Sequence, residues 1–197
     1  MVDVDGVLIH GRPDDGSHWG SSLESELGLR SEDLQREFFD VYWNDIVLGR
    51  AGLMDHLPRV LDRIAPHLSA ERLIAYWFAR DARLDRNLLK DLVQVRATGI
   101  PVYLATNQER MRAEYLMETI GLAQYVDGIH YSAEIGAKKP DHEFFDKVAS
   151  RMGVEPSKLL LLDDALSNVD AALAAGWKAI HWSGDKSLLH SVILISM

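Results

Sequence analysis

Apolar positions fall along this chain in two rhythms, and the change from one to the other divides it. The chain opens with a short apolar segment, Val2, Val4, Val7, Leu8 and Ile9, punctuated by Gly6 and Gly11. That spacing predicts a β-segment, followed by the polar loop HGRPDDGSHWG. From about Ser21 to Arg96 the apolar residues recur every three or four positions. Leu34, Phe38, Val41 and Tyr42 follow Ser31, read as an N-cap. Leu53, Leu57, Val60, Leu61 and Ile64 continue the pattern to Pro66, and Ser69 caps SAERLIAYWFARDA. Asp85 starts a further helix through Leu88, Leu89, Leu92 and Val93, closed by Gly99. Beyond it, compact apolar runs alternate with helical ones. PVYLATN, GIHYSAEIG, KLLLLDDA and WKAIHW read as strands, separated by helices in QERMRAEYLMETIG, DHEFFDKVASRMG and SNVDAALAAG.

Strands alternating with helices predict an α/β fold, a Rossmann-like parallel sheet with helices on both faces. Runs such as LLLL fit strands buried on both sides. The helical stretch interrupts this alternation and reads as an inserted α-helical cap. The expected division is a core of residues 1–11 and 86–197 with a cap of 12–85. Composition adds exclusions. The 197 residues include 47% hydrophobic and 26% charged, ordinary for a globular protein. A net charge of −9 without a Lys/Arg-rich run argues against nucleic acid as a partner. The chain has no cysteine, so thiolate chemistry and Cys-based zinc sites are excluded. No apolar run suits a membrane span and no signal peptide is evident, so a cytoplasmic protein is expected.

Ligands of open α/β sheets bind beyond the C-terminal strand ends. Those ends carry Asp3 and Asp5, then Thr106 and Asn107, then Lys139, then Asp163 and Asp164. If the first strand is still extended there, Asp3 and Asp5 project to one side, and two such carboxylates call for a cation between them. Taken singly, each group has a plainer reading: Thr106 with Asn107, or Asp163 with Asp164, as helix caps, and Lys138 with Lys139 as a solvated turn. Their convergence on one edge is the informative feature. Hard carboxylate oxygens without a His or Cys ligand set point to Mg²⁺.

DVDGV, LATN, GAKKPD and LLLDDALSN, in that order, resemble the four motifs of the haloacid dehalogenase-like hydrolases, and the insertion resembles the helical cap of the phosphatase-like branch. The resemblance implies a Mg²⁺-dependent phosphatase acting on a small phosphorylated metabolite, with sugar phosphates among the candidates. It assigns Asp3 as nucleophile, forming an aspartyl-phosphate, and Asp5 as the acid and base. Thr106, Asn107 and Gly6 are expected to contact the phosphoryl group, and Lys139 to offset charge. The implied metal ligands are the Asp3 carboxylate, the Asp5 backbone carbonyl and Asp164, with Asp163 in support. Asn168, where many relatives have a carboxylate, is expected to orient Asp164 or a metal-bound water.

Alternatives remain open at this point: a phosphosugar mutase, a dehalogenase, or an inactive relative serving as a binding module. Asp5 argues against dehalogenation, because dehalogenating relatives lack that second aspartate. Tyr42, Trp43, Trp77 and Phe78 read first as cap core, and Arg12 and His18 as candidate substrate contacts. Only Met1 and Val2 precede Asp3, so either the natural reading frame begins upstream, which is the expectation, or neighbouring strands compensate. A monomer or homodimer is expected, with the apolar tail SLLHSVILISM as an extra strand or a dimer contact.

Overall fold

The computed structural model describes residues 1–184 and Leu188. Four parallel strands form two pairs: β1 (Tyr103–Thr106) with β2 (Gly128–Tyr131), and β3 (Leu160–Asp163) with β4 (Lys178–His181). The first residues of the chain join them. Val2 bridges Leu104 on one side and Leu162 on the other. The Val2 amide donates to Tyr103 O at 2.9 Å, and the Asp3 amide donates to Leu162 O at 2.9 Å. The spatial order is therefore β2, β1, residues 1–3, β3, β4, and the chain changes direction of travel across the sheet at its own N-terminal segment. At such a switch point the connections after β1 and β3 leave for opposite faces of the sheet, and the carboxyl-end edge between them is the crevice where ligands of α/β sheets bind.

Both faces of the sheet are covered. Leu104 and Leu162 pack with Leu88, Leu92 and Leu116 on one side. Their chain neighbours Ala105 and Leu161 pack with Phe144, Phe145 and Trp177 on the other. Successive strand residues point to opposite faces, so continuous apolar runs are what a sheet covered twice requires. A third cluster belongs to residues 19–78, built from Leu23, Phe38, Leu57, Leu61, Leu73 and Trp77 among others, with Tyr115 packed against it. Two linkers connect it to the sheet, running antiparallel: Ile9 bridges Leu84, the His10 amide donates to Arg83 O, and the Asp85 amide donates to Leu8 O.

Three local expectations fail for identifiable reasons. The opening segment leaves the sheet after Asp3 and is not a strand through Ile9. The Val4 carbonyl accepts from Leu8 and Ile9 at 2.8 and 2.9 Å, and Gly6 sits at φ +79° with its amide on Ile9 O. The apolar residues bury themselves by folding back, not by extending. Ser31 is the first helical residue and makes no cap, Arg30 occupying the cap position. Val41 is exposed because a π-helical turn at Gln35–Phe39 adds a residue to the helix and rotates the face that follows. Ser69 and Asp85 do cap, accepting from Arg72 N and from the amides of Asn87 and Leu88. The C-terminal tail expected as a strand or dimer contact lies outside the described residues, Leu188 apart.

Leu104 is wholly buried where the N-terminal segment joins β1. Replacing it with alanine leaves a cavity beneath the crevice, and we expect a loss of about 2–5 kcal/mol. Urea denaturation of Leu104→Ala checks this.

Candidate active site

Every strand that faces the crevice ends in a polar side chain, and one buried lysine ties several of them together. Lys139 follows the turn after Ser132–Ile135 and is almost fully buried. Its ammonium lies 2.9 Å from Asp3 Oδ1 and 2.5 Å from Asp163 Oδ2. A buried ammonium between two carboxylates offsets charges that would each be costly alone. Its backbone is fixed as firmly: Asn107 Nδ2 donates to Lys139 O and Asn107 Oδ1 accepts from Lys139 N, both at 2.8 Å. Asn107 therefore positions the lysine. It does not cap the next helix, whose N-cap is Glu109. Lys138, next in sequence, points elsewhere and donates to Asn44 Oδ1 in the helical unit.

Asp163 and Asp164 divide their work. Asp163 is fully buried, with Oδ1 accepting from Ala165 N at 2.9 Å and from Asn168 Nδ2 at 3.0 Å. Its Oδ2 accepts from Lys139 and Asn168. Asn168 thus orients Asp163, where the sequence pattern predicts that it orients Asp164 or a bound water. Asp164 is exposed and lies over Gly6, where a Cβ would stand 2.1 Å from its Oδ2. The turn there takes φ +79°, a conformation that favours glycine. Carboxylate oxygens of Asp3, Asp163 and Asp164 all lie within 4.8 Å of one another. With the oxygens of Asp163 already engaged, Asp3 and Asp164 are the carboxylates left to ligate, and two hard oxygen donors suit a cation such as Mg²⁺.

Asp5 has a different environment. It opens onto the solvent of the crevice but is crowded by protein on its other sides. That burial raises its carboxyl to about 7, reinforced by the charges of Asp81 and Asp3 and opposed by Arg112 and a hydrogen bond from Gln108. Gln108 Nε2 donates to Asp5 Oδ2 at 2.5 Å. Burial also raises the carboxyl of Asp3, with Lys139 pulling it down and Asp163 pushing it up. Two neighbouring carboxylates, one held against an ammonium and the other raised toward 7, are an arrangement that could divide nucleophilic and proton-transfer work.

Sequence reasoning missed Gln108, Asp81 and Arg112. Gln108 was within reach, since it stands two positions after Thr106 at the same strand end. Arg112 gave no signal: its guanidinium is wholly buried and donates to the carbonyls of Phe78 and Asp81. It also pairs with Asp81 Oδ2 at 3.5 Å, fastening the second linker to the core. Arg12, a candidate substrate contact by sequence, is instead buried against Glu26 and Tyr76.

The sequence matches the haloacid dehalogenase-like hydrolase family over residues 1–176. It is 26% identical over 184 residues to a phosphorylated carbohydrates phosphatase of Thermotoga maritima, covering 92% of this chain and 82% of that protein. It is 33% identical over 182 residues to a validoxylamine A 7'-phosphate phosphatase of Streptomyces hygroscopicus subsp. limoneus, covering 89% and 81%. Among solved structures, a HAD family enzyme from Bacteroides thetaiotaomicron, crystallised with magnesium and inorganic phosphate, superposes with a TM-score of 0.78 at 18% identity, covering 96% of each chain. At that identity the likeness concerns the fold.

The raised carboxyl of Asp5 carries a stability signature. The folded protein keeps a proton up to about pH 7. The unfolded chain releases that proton near pH 3.9. Stability attributable to this group therefore falls as pH rises through that window and stays reduced above it. In metal-free buffer, Asp5→Asn is expected to melt level with the parent at pH 4 and above it at pH 8. Thermal melts at the two pH values check the sign.

Proposed function

This chain belongs to the haloacid dehalogenase-like hydrolases, and on that premise we propose that it is a Mg²⁺-dependent phosphatase working through an aspartyl-phosphate on Asp3. The observation that carries the reading is the pairing of Asp3, set against Lys139, with Asp5, whose carboxyl stands near 7. Residues 1–11 and 86–197 serve as the catalytic core and 12–85 as the cap. The substrate is a small phosphorylated metabolite, and the names of the relatives favour a sugar phosphate. No helix among the described residues is long and apolar enough to cross a membrane. On this reading the enzyme works in the cytoplasm as a monomer or homodimer.

In the first step an Asp3 carboxylate oxygen forms a bond to phosphorus while the bond from phosphorus to the leaving oxygen breaks, and Asp5 gives that oxygen its proton. In the second step a water oxygen attacks the same phosphorus. Asp5, now ionised, takes the water proton, and inorganic phosphate departs from Asp3. Lys139 offsets the charge of the nucleophile and the phosphoryl oxygens throughout. Thr106, buried at the end of β1, is the expected hydroxyl donor to a phosphoryl oxygen. Asn107 and Asp163 keep the lysine in place, and Gly6 leaves room for Asp164. Mg²⁺, held by the Asp3 and Asp164 carboxylates and the Asp5 carbonyl, would supply further charge neutralisation at the phosphoryl group.

The test is phosphate release from phenyl phosphate with and without Mg²⁺. Turnover is expected with the metal alone present, and none in Asp3→Asn. Asp5→Asn separates the roles: its rate should fall by about 10²–10⁴-fold on an alkyl phosphate, whose leaving oxygen needs a proton. The fall should be much smaller on p-nitrophenyl phosphate. Equal losses on both would remove Asp5 from the acid role.

A further inference from the structure

Gln108 is buried just beyond the end of β1, where a polar side chain needs a partner, and the partner it finds is Asp5. The backbone on either side of it is fixed. Asn107, before it, is held by its two bonds to Lys139. Glu109, after it, accepts from the amides of Met111 and Arg112 as the N-cap of the next helix. The Gln108 carbonyl itself accepts from Ala133 N and from Ser132 Oγ, both at 3.2 Å, and Ser132 is wholly buried. The turn that carries Asp5 is fixed independently: Asp5 bridges Ile9, and the Gly6 amide donates to Ile9 O. The bond of 2.5 Å from Gln108 Nε2 to Asp5 Oδ2 therefore joins two backbone segments that other contacts already hold.

That bond makes the two oxygens of Asp5 unequal. A side-chain amide nitrogen donates and does not accept, so the oxygen it meets must be an acceptor. A proton on Oδ2 would point at an N–H and forfeit the bond. Among the described residues, Gln108 alone donates to this carboxylate. Oδ1 is left open, and a proton carried by the neutral carboxyl belongs there. Without the amide, the two oxygens are equivalent and the carboxyl turns easily about its last bond, a torsion with only broad preferences.

We infer that Gln108 is a positioning residue for the acid–base step: it holds Asp5 Oδ2, so that Oδ1 is the oxygen that gives its proton to the leaving group. The inference rests on the phosphatase reading above and adds a residue to that same site. In the first step the O–H bond at Oδ1 breaks as the leaving oxygen takes the proton. The negative charge left behind is shared with Oδ2, and the bond from Gln108 becomes charge-assisted. In the second step Oδ1 takes a proton from the attacking water, with the carboxylate held in the same plane.

The deciding experiment measures kcat and KM in Mg²⁺ on glycerol 3-phosphate and p-nitrophenyl phosphate. The proteins compared are the parent, Gln108→Met, Asp5→Asn and the double variant. Methionine is unbranched like glutamine but carries no donor. On glycerol 3-phosphate, Gln108→Met should lower kcat by about 10–100-fold, the scale of a misplaced catalytic group, with KM nearly unchanged. The loss should be much smaller on p-nitrophenyl phosphate, whose leaving oxygen needs no proton. In the Asp5→Asn background the same substitution should change neither rate, because Gln108 acts through Asp5. Gln108→Asn keeps an amide one methylene short of its target. It should repeat the pattern, and it serves if the methionine protein does not fold. Equal losses on the two esters, no loss on glycerol 3-phosphate, or an undiminished loss in the Asp5→Asn background would overturn the positioning role and leave the phosphatase reading standing. A parent that releases phosphate from neither of these esters nor from phenyl phosphate would overturn both.

Discussion

The position of one ammonium group, Lys139 Nζ between the carboxylates of Asp3 and Asp163, governs the arrangement of the whole crevice. Two carboxylates this close and this buried would repel, and one would take up a proton or turn to solvent. The lysine keeps both in place at 2.9 and 2.5 Å. Each of its partners is itself pinned. Asp163 is held by Asn168 and the Ala165 amide, and the lysine backbone by the two reciprocal bonds of Asn107. The result joins β1, the N-terminal segment, β3 and the turn after β2 into one polar network. Asp5, next to the network but outside the lysine's grip, is left free to carry a proton.

The sheet delivers these groups because it is covered on both faces. Alternate residues of β1 and β3 go into separate apolar clusters, so neither strand can slip by one residue without exposing a leucine on one face or burying the wrong partner on the other. The three residues at the N-terminus, bonded on both sides, carry that register to Asp3. Immediately afterwards the chain folds back through Val4 to Ile9, and the same turn places Asp5 beside Gln108 and directs the chain toward the helical unit. Arg112 anchors the returning linker at Phe78 and Asp81, so the helical unit is tied to the sheet through two short, hydrogen-bonded connections.

Much of this was legible in the sequence, and the failures share a cause. The alternation of apolar runs and helices shows the parallel sheet, because periodicity reports which faces are buried. The strand-end residues Asp3, Thr106 and Asp163 could be picked out because each interrupts an apolar run where a turn follows, whereas Lys139 stood out only through the GAKKPD motif. Properties set by distant contacts left no local trace. Arg112 is one charge among several in QERMRAEYL, and nothing nearby announces that it is fully buried. The partner of Asn168 depends on how the turn after β3 closes, so the choice between Asp163 and Asp164 could not be read from spacing. The π-helical turn at Gln35–Phe39 breaks the 3.6-residue rhythm without a glycine or proline to mark it, and so Val41 was placed on the wrong face.

A covalent bond between an Asp3 oxygen and phosphorus is the step on which the proposed chemistry turns, and trapping that intermediate tests it directly. The enzyme is mixed with phenyl phosphate and Mg²⁺, quenched in acid within milliseconds, reduced with borohydride and digested for peptide mass mapping. The N-terminal peptide is expected to carry the reduced residue at Asp3, and the label to disappear when Mg²⁺ is withheld. Turnover with no label at Asp3, or with the label on another carboxylate, would contradict it.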